Sequence, residues 1–308
     1  MSIVTMFPGQ GSQSVGMLAE AAEHSAIVQQ RFAEASEVLS FDLWQLVQEG
    51  PADVLGQTEN TQPALLTASV ALWEALQALR AQPLEVQAMA GHSLGEYSAL
   101  VCAGAISFAD GVHLVRKRGE LMQQAVPSGQ GGMAAILGLD DAQVQECCAA
   151  VAGVVTAANY NAPGQIVIAG EKAAVADAIQ ACKDAGAKRA LALDVSGPFH
   201  SPLMEPAAEE FSAVLSAIPV RMPTTPVVQN VHARVAVDEQ EIRANLVAQL
   251  SAPVRWTESI EQLLSDGAEQ FIESGPGNVL CGLVKRIARG TPAVSLSSQD
   301  GMQSAVEI

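Results

Sequence analysis

The sequence is poor in charge, in basic side chains and in aromatic rings. Only 16% of its 308 residues are charged, and 16 Lys and Arg stand against 33 Asp and Glu, for a formal net charge of -17. A chain so acidic has no aggregate positive footprint with which to neutralise phosphates, which argues against nucleic acid or an anionic membrane surface as partner. The five cysteines (Cys102, Cys147, Cys148, Cys182, Cys281) are odd in number and scattered, and the five histidines lie far apart. Neither a disulfide framework nor a metal site is expected from them, and they read mostly as core. No apolar run nears the roughly 20 residues that a bilayer crossing needs. The opening MSIVTMFPGQG lacks the basic and apolar regions of a secretion signal, so it reads as a first strand and the cytoplasm is the expected location.

What the chain has instead is apolar residues, 49% of the total. At this length a chain forms one large domain or two unequal ones and buries about 75% of its unfolded surface. Helical spacing recurs at residues 26–39, 64–79, 96–103 and 108–114, and a short apolar run ends in a glycine-interrupted loop, Pro8-Gly9-Gln10-Gly11. Glu96 and the triplet Arg116, Lys117 and Arg118 are expected near helix ends, where charge is cheap to solvate. Residues 133–195 follow the order β-α-β-β-α-β, the split βαβ arrangement. Gly-rich stretches, 128–132 and 196–198, flank that unit as crossings. The predicted class is α/β. A large hydrolase-like subdomain with a parallel sheet (residues 1–126 and 199–308) is interrupted by a smaller ferredoxin-like subdomain (127–198).

The chemistry-bearing pattern is Gly91-His92-Ser93-Leu94-Gly95, set between a strand-like run and a helical one. Strand, sharp turn and helix together expose a serine hydroxyl and aim amide donors at developing negative charge. A serine needs a base at neutral pH, and His24, His92, His113, His200 and His232 are the candidates. His200 is the best placed of them, because it follows the break Gly197-Pro198-Phe199 at a subdomain boundary.

Seven blocks then occur in one order along nearly the whole chain: FPGQGSQ, GHSLGEYSAL, RKRGELM, NYNAPGQIVIAG, GPFHSPLM, QLSAPVRW and ESGPGNVL. In these the sequence resembles the malonyl-CoA:acyl carrier protein transacylases of free-standing bacterial type II fatty-acid synthesis. The resemblance implies a ping-pong transfer with no cofactor and no metal. Ser93 takes the malonyl group from malonyl-CoA as an ester and gives it to the phosphopantetheine thiol of holo acyl carrier protein. By the same resemblance His200 is the base, the amides of Gln10 and Leu94 form the oxyanion hole, and a backbone carbonyl at Gln249 steadies the histidine. Arg118 would grip the malonyl carboxylate through two parallel hydrogen bonds. Asn159, Asn161 and His92 are pocket residues, with His92 pointing away from the nucleophile, and Phe199 restricts space near an α-methyl branch. The resemblance also implies a monomer.

Three rivals share these residues. A serine hydrolase would pass the acyl group to water, and a non-catalytic scaffold would keep the fold alone. A trans-acting malonyl transferase for polyketide carriers would run the same chemistry on another acceptor. The carrier is itself acidic, so local basic groups must steer it. Arg116, Lys117, Lys188, Arg189, Lys285, Arg286 and Arg289 are the candidates for such a patch.

Overall fold

The computed structural model describes residues 2–127, 129–195 and 197–308. Ser128 and Ser196, each in one of the two expected crossings, lie outside the described residues. Among the described residues ten strands form two sheets: β1 (Ile3–Phe7), β2 (Ala88–Gly91), β3 (Gly131–Leu137), β4 (Val155–Ala162), β5 (Gln165–Glu171), β6 (Arg189–Leu193), β7 (Val227–Gln229), β8 (Arg234–Val235), β9 (Gln270–Glu273) and β10 (Ala293–Ser295). The first sheet has the order β10-β9-β1-β2-β7-β8 and is parallel apart from β8. Every residue of β1 and β2 is buried, as a central parallel strand covered on both faces must be. Phe7 and Gly91 are register partners at the carboxyl ends of β1 and β2. The loops that carry Gln10 and Ser93 therefore leave the sheet side by side, where α/β sheets bind ligands.

The second sheet, β4-β5-β3-β6, is antiparallel throughout, with chain order β-α-β-β-α-β. Its strands alternate sides with period two. Ala134 and Ile136 join Val144, Val175, Ala178 and Cys182 in a core under the helices Asp141–Ala149 and Lys172–Asp184. Met133 and Val167 face the opposite way and belong to the core of the larger unit. Both are α/β layers of the expected class. A pair of backbone bonds joins them: Val254 N–H donates to Ala158 O and Tyr160 N–H donates to Val254 O, both at 2.9 Å.

Two helices are longer than their sequence pattern suggests. The helix Phe108–Gln124 runs ten residues past residue 114 and carries the cationic triplet through its middle. Successive residues on a helix point about 100° apart. Arg116 and Lys117 accordingly reach Glu120, whereas Arg118 turns inward and is 1% exposed. The helix Thr58–Leu79 begins six residues before 64 and keeps Pro63 inside it. Proline has no N–H for the carbonyl four residues back, and Arg116 Nη1 donates to that carbonyl, Glu59 O, at 3.1 Å. Four short helices, Ala19–His24, Leu43–Glu49, Ala52–Leu55 and Gln299–Val306, have no counterpart in the sequence reading.

Candidate active site

The turn after β2 brings its chain so close to the following helix that side chains are excluded on both sides of Ser93. A Cβ on Gly91 would fall 1.8 Å from Gly95 C, and one on Gly95 would fall 1.9 Å from Phe7 O. Between them Ser93 takes a left-handed φ of 51°, rare for a side chain larger than hydrogen, which lifts its hydroxyl out of the turn. Asn230 and Gln249 hold this conformation from either side. Ser93 N–H donates to Asn230 Oδ1 at 2.7 Å, and Gln249 Nε2 donates to Ser93 O at 3.1 Å.

His200, also at positive φ (60°), meets the hydroxyl: Ser93 Oγ and His200 Nε2 are 2.7 Å apart. The other ring nitrogen, Nδ1, lies 2.7 Å from Gln249 O. A carbonyl only accepts, so Nδ1 carries the proton and Nε2 is the acceptor for the serine hydroxyl. No carboxylate takes part in this orientation. Burial first, and then the neighbouring Arg118 cation, push the imidazole down to about 3. The ring is therefore neutral at physiological pH and free to receive a proton.

Arg118 donates through Nη2 to Ser93 Oγ at 3.1 Å and to Gln249 Oε1 at 2.9 Å, and through Nη1 to Gln62 Oε1 at 2.9 Å. Its guanidinium lies 5.2 Å from the centre of the Tyr97 ring. Among the described residues no carboxylate lies within ion-pair distance of it, and its Nε is buried without a partner. The site thus holds a buried cation whose direct contacts are neutral amides, a hydroxyl and a ring.

These groups open on a cavity of about 180 Å³ lined by residues of both sheets and their loops. Gln10, His92, Leu94, Asn159, Asn161 and Phe199 all line it together with Ser93, Arg118 and His200, and Met122, Met133, Val167, Leu193 and Val195 supply its apolar wall. Gln249 is fully buried behind Ser93 and His200. His92 bonds through Nε2 to Asn161 Oδ1 at 2.7 Å, and its ring lies 5.6 Å from that of Trp256. Among the described residues no acceptor takes the backbone N–H of Gln10 or of Leu94. Two unengaged amides lining the same cavity as the Ser93 hydroxyl are suited to receive an oxyanion. Among the described residues no cluster of His, Cys, Asp and Glu suited to a metal occurs.

Four residues differ from their expected setting: Arg116 and Lys117 lie in mid-helix, and Glu96 and Arg118 are buried. Glu96 is not a solvated helix-end charge: it is fully buried and accepts from Gln229 Nε2, Asn230 N–H and Gln249 Nε2 at 3.0, 2.8 and 2.8 Å. Its helix, Gly95–Cys102, starts against the middle of the sheet, so even its first turn meets protein on every side. Arg118 is likewise buried and not at a helix end. Gln62, Asn230 and Gln229 are site residues with no sequence signal beyond a neutral amide, and the Gln62-Pro63 pair reads locally as a break.

The sequence pattern of the acyl transferase domain matches residues 4–303. The malonyl CoA-acyl carrier protein transacylase of Salmonella typhimurium is 54% identical over 303 residues, covering 98% of this chain and 97% of that one. The chain belongs to the malonyl-CoA:acyl carrier protein transacylase family. The Bacillus subtilis transacylase is 47% identical over 308 residues, covering 99% of this chain and 96% of its own. Among solved transacylases, the acyl carrier protein S-malonyltransferase of Vibrio cholerae superposes with a TM-score of 0.95 at 51% identity, each chain covered to 99%. A malonyl-transacylase solved in complex with a type II PKS acyl-carrier protein gives 0.97 at 50% identity, covering 100% of this chain and 99% of that one.

The cations expected to steer a transacylase toward its carrier divide into two sets. Arg116 and Lys117 are engaged by Glu59 and Glu120. Lys188, Arg189, Lys285, Arg286 and Arg289 gather around one open depression of about 790 Å³, with Asp140 as its acidic member. Strand β6 links it to the cavity, since Arg189 borders the depression and Leu193 the cavity. No helix among the described residues is long and apolar enough to cross a membrane.

Proposed function

We propose that this chain transfers a malonyl group from malonyl-CoA to the phosphopantetheine thiol of acyl carrier protein, through an ester on Ser93, to supply fatty-acid elongation. The observation that carries the reading is the buried Arg118 guanidinium, 3.1 Å from the Ser93 hydroxyl and, among the described residues, with no carboxylate within ion-pair distance. Acetyl and malonyl differ by a free carboxylate, and a guanidinium fork is the group that grips one. A serine hydrolase has no need of it.

In the first half-reaction Ser93 Oγ gives its proton to His200 Nε2 and attacks the thioester carbon. The oxyanion is received by the amides of Gln10 and Leu94. Collapse of the tetrahedral intermediate breaks the carbon-sulfur bond, and His200 returns its proton to the departing thiolate. In the second half the carrier thiol gives its proton to His200 and its sulfur attacks the malonyl ester. The carbon-oxygen bond breaks and Ser93 regains the proton. A malonyl carboxylate on Arg118 offsets the cation that lowers His200, so substrate binding makes the imidazole a better proton acceptor.

Asn159, Asn161 and His92 are assigned to the pocket, Phe199 to exclusion of an α-methyl branch, and the Gln249 carbonyl to orienting His200. The same reading divides the chain at residues 126/127 and 198/199 and has it act as a cytoplasmic monomer. The depression formed by Lys188, Arg189, Lys285, Arg286 and Arg289 is assigned to the acidic carrier.

The test is intact-mass analysis. Brief incubation with malonyl-CoA is expected to add one malonyl group to the enzyme, which holo-carrier removes and Ser93→Ala prevents. Release of free malonate without carrier turnover overturns the assignment in favour of a hydrolase. A second acceptor is favoured by the similarity to a transacylase solved with a type II PKS acyl-carrier protein. Faster loading of such a carrier than of a fatty-acid carrier would select the polyketide reading.

A further inference from the structure

We propose that Glu96 is a positioning residue for the transfer. Its carboxylate, sealed beneath the nucleophile turn, orients Gln249 and Asn230, and these in turn clasp both peptide groups of Ser93 and hold His200 and Arg118. The inference rests on the reading of Ser93 and His200 given above.

The bond directions support it. Oε1 of Glu96 accepts from Gln229 Nε2, and Oε2 accepts from both Asn230 N–H and Gln249 Nε2. Three donors and no acceptor face this carboxyl, a set satisfied by its ionised form. An amide side chain has one donating and one accepting end, and the carboxylate fixes which way those of Gln249 and Gln229 are turned, while it holds Asn230 by its backbone N–H. With Nε2 of Gln249 drawn to Glu96 and to Ser93 O, its Oε1 is left to receive Arg118. The backbone carbonyl of the same residue receives His200 Nδ1. Asn230 takes Ser93 N–H on Oδ1 and gives Nδ2–H to Gly91 O at 2.7 Å, spanning the tight turn. Gln229 is set by Asn245, whose Nδ2 donates to its Oε1 at 2.8 Å. One buried anion thus specifies a chain of neutral amides that ends on the Ser93 backbone and on the His200 and Arg118 side chains.

Ionisation is the variable. Burial pushes the Glu96 carboxyl up to about 7, against the pull of the Asn230, Gln249 and Gln229 donors and of the Arg118 guanidinium. Arg118, on the helix Phe108–Gln124, is the cation facing it. On its own helix the neighbouring Tyr97 phenol is pushed further up by burial and stays neutral. His200, beyond Gln249, and His92, at the end of β2, are both lowered by burial and stay neutral. Protonating Glu96 turns a hydroxyl donor toward a ring of donors, and one of the three bonds is lost.

The experiment uses Glu96→Gln, which keeps shape and burial and removes the second acceptor oxygen. The expected result is a kcat for malonyl transfer about 10- to 100-fold lower with KM for malonyl-CoA within about threefold, the signature of lost positioning and not of lost binding. Wild-type Ser93 malonylation is expected to fall about tenfold per pH unit below about 7, and E96Q to lose that limb. A folded E96Q with wild-type kcat overturns the proposal. If E96Q does not fold, the wild-type profile decides, and a rate constant that is flat from about pH 5.5 to 8 overturns it. Ser93→Ala is assayed alongside: transfer retained there sinks the underlying reading, whereas transfer lost in Ser93→Ala but intact in E96Q sinks the role of Glu96 alone.

Discussion

The Arg118 guanidinium donates to the Ser93 hydroxyl oxygen at 3.1 Å while that hydroxyl faces His200 Nε2 at 2.7 Å. One oxygen is thereby polarised by a cation on one side and met by a proton acceptor on the other. Under the proposed reading, a substrate carboxylate on Arg118 would draw the cation away from this oxygen, coupling recognition of the acyl group to release of the serine oxygen.

Arg118→Ala is expected to lower kcat/KM for malonyl-CoA by about 100-fold or more, and for acetyl-CoA much less, because a charged bidentate pair is worth several kcal/mol and acetyl cannot form it. Parallel loading assays with the two donors check this. Equal losses would assign Arg118 to scaffolding.

His200→Ala is expected to slow Ser93 malonylation by about 10² to 10⁴-fold, the range of a lost general base. In the intact enzyme the imidazole, held down to about 3 by burial and by Arg118, contributes no inflection between about pH 5.5 and 8. Stopped-flow acylation reads the first effect in His200→Ala and the second in E96Q, where the Glu96 limb is removed and a flat profile across that range is expected.

Two buried groups set opposing slopes of stability against pH. Glu96 is raised from 4.5 to about 7, so the folded state binds the extra proton between those values and its contribution to stability falls as pH rises through them. His200 is lowered from 6.5 to about 3, so the unfolded state binds the extra proton and stability is lost as pH falls below 6.5. Between 4.5 and 6.5 the two oppose each other. Urea unfolding of E96Q is expected to uncover a stability that rises with pH in that window, and His200→Gln one that falls, each by on the order of 1.4 kcal/mol per unit at most. Unchanged slopes in both variants would contradict the assignment.

Gly95→Ala is expected to cost about 3 kcal/mol or more, because its Cβ would fall 1.9 Å from the Phe7 carbonyl and neither backbone can yield without disrupting β1. Thermal denaturation measures it. A loss within about 0.5 kcal/mol would mean that the turn relaxes.

Lys285→Glu with Arg286→Glu is expected to slow transfer to the carrier about tenfold at low salt while malonylation of Ser93 is unchanged, since charge reversal at a docking rim acts on encounter. Separate half-reaction rates distinguish the two steps. Unaltered carrier kinetics would move the dock elsewhere.

The strand-turn-helix around Ser93 was legible because its determinants are local: glycines at the two points of close approach and apolar residues on either side. The antiparallel unit was legible for a similar reason, its six elements each carrying their own period. Glu96 was not, because an acidic residue in a first helical turn looks solvated until the strand and helix end that cover it are known. The cationic triplet misled in the same way. Three adjacent charges on a helix necessarily point to different faces, and sequence does not say which face is inward. Gln62 sits beside a proline that ends most helices, and this helix tolerates it because Arg116, distant in sequence, serves the carbonyl left over.

The two backbone bonds at Val254 lie five residues past Gln249 in the chain, on the segment that leads away from the histidine's carbonyl partner. They tie the antiparallel sheet to the chain that follows Gln249, so that swinging the sheet away would break main-chain bonds close to the histidine's carbonyl partner. The bonded residues Ala158 and Tyr160 flank Asn159, which lines the cavity, so the seam between the sheets runs along one wall of the site. A shift of one sheet against the other would therefore be felt first at the wall that holds Asn159 and at the carbonyl that sets the His200 tautomer, so the seam acts as a gauge of how well the two sheets are docked.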